Sequence, residues 1–305
     1  MKTTSTAVGR FAPSPSGIMH LGNVASSLLA WLDARSLGGR IILRIEDLDP
    51  ERSSDAFAQK IADDLEFLGL NHDNETEYRQ SDRLGLYSDV FDMLLRRDML
   101  YPCYCSRSER LAAAAPHEGE NHCDRGCKCR YLSRVERQAL EASGRRPAWK
   151  VKVPDKTITY NDGHYGMMTE NLADSGDFII RRSDGVFAYQ LAVSFDDMDM
   201  GITRVVRGRD LLSSAARQIW LISELGGKAP EYCHAPLIVS ADKRKMSKRD
   251  GDLNMDSLRE KYGSEELLGY ISGLLGLNDG SPVSAPELLT RFDWSKVPTD
   301  DIIVK

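Results

Sequence analysis

The chain has 305 residues, of which 41% are hydrophobic and 28% are charged, and its formal net charge is −6. This composition is ordinary for a globular protein, and the length allows two or three structural units. The net negative charge argues against a protein whose whole surface binds nucleic acid. The N-terminal segment lacks the apolar core of a secretory signal, and the stretch from Leu21 to Leu32 is too short to span a membrane. We therefore expect a cytoplasmic enzyme without a membrane partner.

The start of the chain predicts a strand, a turn, a helix and a second strand. Val8–Phe11 is a short apolar segment, and a turn rich in Pro and Ser follows at 13–17. Leu21–Leu37 has the pattern of a helix that ends at Gly38-Gly39, and Arg40–Ile45 has that of a buried strand. This order favours a βαβ unit with parallel strands, and hence an α/β fold.

The rest of the chain divides into an insertion, a second half of the core and a tail. Periodicity fades between residues 101 and 149, which predicts an inserted unit held by metal. Helices are predicted at Ser54–Leu68, Arg83–Arg97 and Leu211–Leu225, strands of the returning sheet at Asp177–Arg181, Val186–Val193 and Ile202–Val206, a buried strand at His234–Ser240, and a helical tail from Met255 with apolar residues at Leu267–Leu277. The predicted units are 1–100, 101–176, 177–254 and 255–305.

A basic stretch lies between residues 125 and 152. It is either a solvated helix face or a surface for the nucleic-acid backbone, which needs Lys and Arg without reading sequence. The residues are Arg125, Lys128, Arg130, Arg134, Arg137, Arg145, Arg146, Lys150 and Lys152.

Five of the six Cys residues fall between 103 and 129. In a cytosolic protein such clustering favours metal binding over disulfides. Two Cys-x-Cys pairs, Cys103 with Cys105 and Cys127 with Cys129, can supply four thiolates to a closed tetrahedral site. A closed site leaves no position for water, so we predict a structural Zn²⁺ ion. The sixth residue, Cys233, is expected in the core.

The segment from Arg10 to Asn23 has the features of a phosphate-binding turn. Its Pro and Gly residues fix a turn directly before a helix, whose N-terminus offers free N–H groups and the positive end of the dipole. His20 adds a side-chain donor, and Gly22 lets a flat ring approach the backbone. The alternative is a turn without a ligand.

A second basic segment, KMSKR at Lys245 to Arg249, follows an apolar strand and precedes Gly251. Such a loop can bring a cation to a developing pyrophosphate, where charge is most valuable in the transition state. The alternative is a solvated basic loop.

Together, PSPSGIMHLGN and KMSKR resemble the HIGH and KMSKS motifs of class I aminoacyl-tRNA synthetases. GRFAPSPSGIMHLGN, RIEDLDPERS, VVRGRDLLSSAARQI and KMSKRDG resemble the glutamate-handling branch of that class. FAYQLAVSFDDMDMGITRVVRGRDLLSS most closely resembles the glutamyl-Q tRNA(Asp) synthetases, which are short paralogues of glutamyl-tRNA synthetase. The resemblance covers roughly residues 8–255. It implies a Rossmann-like parallel-sheet core with an inserted zinc-binding subdomain of the acceptor type and a short helical tail.

The resemblance also implies roles for single residues. A glutamate pocket is implied for Arg10, Ala12, Ser14, Glu46, Tyr189 and Arg207. ATP binding is implied for Pro13, Ser14, Gly17, His20, Gly22, Asn23, Lys245, Met246, Ser247 and Lys248, with His20 and Lys248 as catalytic residues. A substrate with two carboxylates and one ammonium needs cations and an anion in one pocket, and a guanidinium can hold a carboxylate bidentately. For Glu46 and Arg207 the alternative is an ordinary ion pair at a strand end. Asn23 departs from the family pattern, because it stands where HIGH has its second His.

The fourth metal ligand stays open. The family often supplies a Tyr and a Cys followed by Arg-x-Leu-Ser, and Cys129 matches that Cys, but Arg125 stands at the Tyr position. Cys127 is our choice, with Cys123 and His122 as alternatives.

The implied reaction is the activation of glutamate by ATP with Mg²⁺, followed by transfer of glutamate to the queuosine base of tRNA(Asp). The short stretch after Lys248 favours this acceptor over tRNA(Glu), because glutamyl-tRNA synthetases carry a long anticodon-binding region there. The alternatives are a glutamyl-tRNA synthetase trimmed of that region, a carboxylate ligase without an RNA partner, and a non-catalytic zinc and RNA-binding relic. We expect a monomer. No role is predicted for His72, His117, His164 or His234. Asp196, Asp197 and Asp199 have the pattern of a Mg²⁺ ligand pair, but a structural role is expected for them.

Overall fold

The computed structural model describes residues 6–105, 127–241 and 253–304. The fold opens with strand β1 (Val8–Phe11), helix α1 (Leu21–Ser36) and strand β2 (Arg40–Ile45). The two strands are parallel, with Val8 opposite Arg40, so the predicted βαβ unit is confirmed. The helix ends before Gly38, whose φ of +63° suits glycine and stops the helix.

A third parallel strand extends this unit on one side, and a second parallel pair of strands lies on the other side. Helix α2 (Asp55–Phe67) leads to strand β3 (Tyr78–Arg79), which pairs in parallel with β2, and helix α3 (Leu84–Arg96) follows. Both helices begin and end within one residue of their predicted bounds. On the other side, the Thr203 N–H donates to the Val8 carbonyl at 3.0 Å, so the strand after Thr203 lies beside β1.

The described residues between 100 and 181 contain antiparallel strands that are separate from the parallel ones. The elements are β4 (Leu100–Cys103), α4 (Arg134–Ala142), β5 (Ala148–Val151), β6 (Thr157–Asp162), β7 (Gly166–Asn171), α5 (Leu172–Ser175) and β8 (Phe178–Arg181). The sheet order is β4-β5-β8, and β6 and β7 form a hairpin. The strand predicted at Asp177–Arg181 is present, but it does not belong to the returning parallel sheet, because it pairs with β5.

The chain then forms a second set of parallel strands. The elements are α6 (Tyr189–Asp199), β9 (Arg204–Gly208), α7 (Ala215–Glu224), β10 (Glu231–Ala235) and β11 (Ile238–Val239). Strands β9 and β10 are parallel, with Val206 opposite Cys233. The predicted strand at Val186–Val193 is wrong, since most of this segment lies in α6. The helix buries every residue from Leu191 to Asp197, and a helix buried on all sides shows no 3.6-residue pattern.

Two other predictions need new bounds. The helix predicted at Leu211–Leu225 begins at Ala215, because Arg209–Ser214 forms a 3-10 helix. The strand predicted at His234–Ser240 is divided between β10 and β11 at Pro236, which has no N–H for a strand ladder. Cys233 is buried in the core, as expected.

The tail is helical as predicted, with α8 (Met255–Lys261), α9 (Ser264–Leu274) and α10 (Ala285–Leu289). An unpredicted strand, β12 (Ile302–Ile303), pairs in parallel with β11. The tail packs against α1 in one hydrophobic cluster, and the Trp294 indole donates to Asp33 of α1 at 2.8 Å. Within the described ranges, none of the helices is both long and apolar enough to cross a membrane. The division into four units stays a prediction.

Candidate active site

The turn between β1 and α1 is fastened to the end of β2. The Pro13 carbonyl accepts a hydrogen bond from the Glu46 N–H at 2.9 Å. Ala12 and Gly17 are half-buried, and Ser14 is exposed on the turn. The turn therefore lies at the carboxyl ends of two parallel strands, the edge of the sheet where open α/β folds bind ligands.

His20 caps the N-terminus of α1. Its Nδ1 accepts a hydrogen bond from the Asn23 N–H at 3.3 Å, and Asn23 Oδ1 accepts one from the His20 N–H at 3.2 Å. A Cβ at position 22 would lie 3.1 Å from His20 Cε1, so Gly22 gives the imidazole its space. Asn23, the departure from the family pattern, therefore completes a capping box that orients the imidazole at the helix N-terminus.

A buried cluster of charges lies where β1 and β2 meet α6. Arg44 Nη1 lies 2.8 Å from Asp197 Oδ1, and Arg44 Nη2 lies 3.1 Å from Glu46 Oε1. Arg10 Nε lies 3.7 Å from the same Asp197 oxygen, and Arg10 Nη1 donates to the Val206 carbonyl at 2.9 Å. The four charged side chains are at most 8% exposed. These contacts agree with the structural role expected for Asp197.

Arg207, on β9, has most of its donors engaged. Nε donates to His234 Nε2 at 3.1 Å, Nη1 to Gln218 Oε1 at 2.7 Å and to the Tyr189 hydroxyl at 3.4 Å, and Nη2 to the Leu211 carbonyl at 3.2 Å. A guanidinium has five N–H groups. Among the contacts of the described residues, one N–H of Nη2 is left for a ligand. A bidentate grip on a carboxylate therefore requires Nη1 to give up its long contact with Tyr189.

Burial shifts the pKa values of the pocket residues. Burial raises the pKa of Glu46, and the charges of Arg44 and Arg10 oppose that shift only in part. Burial also lowers the pKa of Arg10 and raises the pKa of Tyr189, whose hydroxyl interacts electrostatically with Arg207, Glu46 and Arg10. Four of the six predicted glutamate-binding residues, Arg10, Glu46, Tyr189 and Arg207, therefore interact with one another. This cluster, hereafter called the pocket, contains both signs of charge.

The cysteines of the two Cys-x-Cys pairs meet at one point. The Sγ–Sγ distances are 3.6 Å for Cys103 and Cys127, 3.9 Å for Cys105 and Cys127, and 3.6 Å for Cys105 and Cys129. Four sulfurs at about 2.3 Å from a tetrahedral zinc ion lie about 3.8 Å from one another, so this donor set fits zinc. A hydrogen bond from Cys103 lowers the pKa of Cys127, despite the opposing effect of burial. The predicted alternatives Cys123 and His122, together with Arg125, lie outside the described residues.

The basic loop also lies outside the described residues, with Lys245, Met246, Ser247 and Lys248. Its flanks are described. Asn254 forms a bridge with His20, and the Met255 N–H donates to the Met19 carbonyl at 2.9 Å. Both contacts lie at the N-terminus of α1, where the predicted phosphate site is.

Comparison with known proteins identifies the family. Residues 6–297 match the family described as tRNA synthetases class I (E and Q), catalytic domain. The chain belongs to this family. The synthetase is 40% identical over 306 residues to the glutamyl-Q tRNA(Asp) synthetase of Nitratidesulfovibrio vulgaris, covering 97% of this chain and 94% of that relative. It is 42% identical over 306 residues to the glutamyl-Q tRNA(Asp) synthetase of Symbiobacterium thermophilum, covering 96% and 94%.

A solved structure shares the fold of this chain. The glutamate tRNA ligase of Elizabethkingia meningosepticum, solved in complex with its amino acid, superposes on this synthetase with a TM-score of 0.82 at 28% identity. The superposition covers 99% of this chain and 67% of that chain. The predicted class I α/β fold with a parallel sheet is confirmed.

Two buried residues beside the pocket were not predicted. His234 Nδ1 lies 2.5 Å from Asp162 Oδ2, and both side chains are fully buried in the synthetase. Asp162 is 72 residues from His234 along the chain, on the β6–β7 hairpin, so no local sequence pattern joins them. No role is predicted for His234 from the sequence, and the structure shows its Nε2 accepting a hydrogen bond from Arg207 Nε.

Proposed function

We propose that this synthetase activates glutamate with ATP and transfers the glutamyl group to the queuosine base of tRNA(Asp). The observation that carries the proposal is the cluster of interacting side chains of Arg10, Glu46, Tyr189 and Arg207, in which both arginines are buried. Glutamate carries two carboxylates and one ammonium, so cations and an anion must face it together. The two glutamyl-Q relatives, matched over 94% of their own lengths, support the acceptor.

In the first step, the α-carboxylate of glutamate attacks the α-phosphorus of ATP and pyrophosphate leaves. This reaction needs no nucleophile from the protein, so the catalytic contribution is positioning and charge stabilisation. Arg10 and Arg207 would hold carboxylates, Glu46 the ammonium, and His20 with the free N–H groups of α1 the phosphates. Mg²⁺ would accompany ATP and neutralise charge on its phosphates. The part given to Lys248 stays a prediction.

In the second step, a hydroxyl of queuosine attacks the carbonyl carbon of glutamyl-adenylate, and AMP leaves. The basic stretch of the sequence would support tRNA binding only in part. Arg134, Arg145 and Arg146 are exposed, whereas Lys150 is fully buried and Arg130 pairs with Asp177 at 2.9 Å. We propose that the exposed arginines contact the phosphate backbone of the tRNA. A monomeric state and a cytoplasmic location stay predictions.

We also infer that the four clustered cysteines hold a structural Zn²⁺ ion. The ion would join β4 to the 3-10 helix Lys128–Tyr131, which precedes α4. The sulfur spacing supports this ligand set, and a set of four protein ligands leaves no position for a substrate.

The decisive experiment has two parts. ATP–pyrophosphate exchange is measured with a panel of amino acids, with and without tRNA, and we expect exchange with glutamate. Glutamate transfer is then measured to tRNA(Asp) with and without queuosine, and to tRNA(Glu). Transfer to queuosine-bearing tRNA(Asp) alone supports the proposal, whereas transfer to tRNA(Glu) alone indicates a glutamyl-tRNA synthetase. If no amino acid supports exchange, the proposal that this protein activates an amino acid is excluded.

A matched pair of variants tests the pocket. Arg207→Ala removes a buried pocket cation, and Arg182→Ala removes an exposed arginine that pairs with Asp49 and Asp184. We expect Arg207→Ala to abolish exchange with glutamate and Arg182→Ala to preserve it. Equal activities would contradict the assignment of the pocket.

A further inference from the structure

We propose that Asp162 and His234 are positioning residues that fix the orientation of the Arg207 guanidinium in the glutamate pocket. The proposal rests on the proposed function, since it assigns how that pocket is held. The three side chains form a continuous buried chain, with 2.5 Å between Asp162 Oδ2 and His234 Nδ1 and 3.1 Å between His234 Nε2 and Arg207 Nε. Asp162 and His234 are at most 1% exposed, and Arg207 is 5% exposed.

The contact with Arg207 determines which nitrogen of His234 carries the proton. A guanidinium Nε–H can only donate, so His234 Nε2 must accept. The imidazole is then neutral and carries its proton on Nδ1, from which it donates to Asp162 Oδ2. Burial lowers the pKa of His234, which agrees with a neutral ring.

Asp162 is itself held so that it can only accept. Its Oδ1 accepts three backbone hydrogen bonds, from His164 and Tyr165 at 3.0 Å each and from His234 at 3.2 Å. Because Oδ1 is occupied in this way, Oδ2 is directed at the imidazole. The hairpin turn between β6 and β7 therefore sets the tautomer of His234, and His234 in turn sets the plane of Arg207.

The orientation of that plane decides which N–H faces the ligand. The Arg207 guanidinium lies over the Tyr232 ring at 4.9 Å, and the Tyr232 and His234 rings are stacked with an interplanar angle of 11°. With Nε held by His234 and Nη1 by Gln218, the remaining Nη2 N–H has a fixed direction. Loss of the Nε contact would allow the guanidinium to rotate and to misalign its grip on a carboxylate.

Three substitutions separate this role from simple core packing. His234→Gln can place an acceptor oxygen near the position of Nε2 and keeps the Arg207 contact. His234→Asn can place a donor near the position of Nδ1 and keeps only the Asp162 contact. In Asp162→Asn the backbone donors hold the amide oxygen at the Oδ1 position, so the NH₂ group faces His234 Nδ1. The imidazole proton of His234 then moves to Nε2, where it faces the Arg207 Nε–H, and the hydrogen bond between them is lost.

The variants are compared by ATP–pyrophosphate exchange, with separate KM values for glutamate and ATP, and by thermal unfolding. Asp64→Asn serves as the control, because Asp64 is also fully buried but pairs with Arg259 on the tail. We expect His234→Asn and Asp162→Asn to raise the KM for glutamate roughly 10- to 100-fold. This is the loss of affinity that corresponds to one lost hydrogen bond to a charged group. The KM for ATP should stay within about twofold. His234→Gln should remain close to wild type, and Asp64→Asn should leave both KM values unchanged.

Long-range ¹⁵N–¹H spectra of the six histidines add a readout that does not depend on activity. Signals that disappear in His234→Gln identify His234, which should show the Nδ1–H tautomer in wild type and the Nε2–H tautomer in Asp162→Asn. Two results would overturn this inference even if the wild-type protein exchanges with glutamate. One is an equal KM for glutamate in His234→Gln and His234→Asn. The other is an unchanged His234 tautomer in Asp162→Asn. A wild-type protein that does not exchange with glutamate would overturn the proposed function and this inference together.

Discussion

Asp197→Asn removes one charge from the buried cluster and keeps the shape of the side chain. The Asp197 carboxylate contacts two buried guanidinium groups, with Oδ1 at 2.8 Å from Arg44 Nη1 and 3.7 Å from Arg10 Nε. After the substitution, both guanidinium groups lose this negative charge.

The size of the effect follows from burial. Removing one partner of a buried ion pair lowers the free energy of unfolding by about 3–5 kcal/mol. At roughly 2–4 °C per kcal/mol, the midpoint of thermal unfolding falls by roughly 6–20 °C. In the control Asp64→Asn, the partner Arg259 is 37% exposed, and water can solvate its released charge. Burial also raises the pKa of Asp64, so we expect a loss there of about 1 kcal/mol or less.

Unfolding in urea, followed by circular dichroism at neutral pH, gives both free energies. Exchange kinetics on the same samples should show a raised KM for glutamate in Asp197→Asn, because Asp197 aligns Arg10 and, through Arg44, Glu46. A loss of stability no larger than that of Asp64→Asn would refute the reasoning, since the cluster would then be hydrated like a surface ion pair.

Four further outcomes are expected. Cys127→Ser should lower the zinc content from about one ion per chain and lower the midpoint of thermal unfolding, as measured by metal analysis and calorimetry. Gly22→Ala should lower kcat for exchange by displacing His20, whereas Gly85→Ala, whose added Cβ would meet no atom within 4 Å, should not; equal kcat values would contradict this. Because burial raises the pKa of Glu46, its protonation should raise the KM for glutamate as the pH falls toward that pKa. In Glu46→Gln the KM for glutamate should be high at every pH, without the rise that comes from Glu46 protonation. Arg134→Glu should weaken transfer to tRNA and reduce its salt dependence while exchange without tRNA stays unchanged, so a parallel loss of exchange would count against a tRNA contact.

Elements whose burial varies along the chain could be predicted from the sequence, and fully buried ones could not. The βαβ unit and helices α2 and α3 agree with their predicted bounds because strand and helix patterns there are clear. Helix α6 was predicted as a strand because its run from Leu191 to Asp197 is buried throughout and shows no helical periodicity, while Val186, Phe187 and Tyr189 just before that run favour a strand. Strand β12 has two residues, too short for any periodic pattern.

The candidate site shows the same division. Arg10, Glu46, Tyr189 and Arg207 could be named because they stand within motifs that resemble a family, and their side chains interact electrostatically with one another. Asp162 and His234 could not, because their relation is a contact across 72 residues between a hairpin and a strand. Local patterns do not encode such contacts, and a buried histidine in an apolar strand has the appearance of ordinary core.

The position of β1 between β2 and Thr203 has a consequence for synthesis of the protein. Its partner on one side, β2, begins 32 residues after β1, but on the other side Val8 pairs with Thr203, 195 residues away. At 5–20 residues per second, roughly 8–33 s separate translation of β2 from translation of Thr203. Throughout that interval the nascent chain presents an open strand edge, which is a template for intermolecular pairing. The yield of folded protein should therefore depend on temperature and chaperone supply. These conditions determine whether the open edge stays unpaired until Thr203 is translated or pairs with another chain and aggregates.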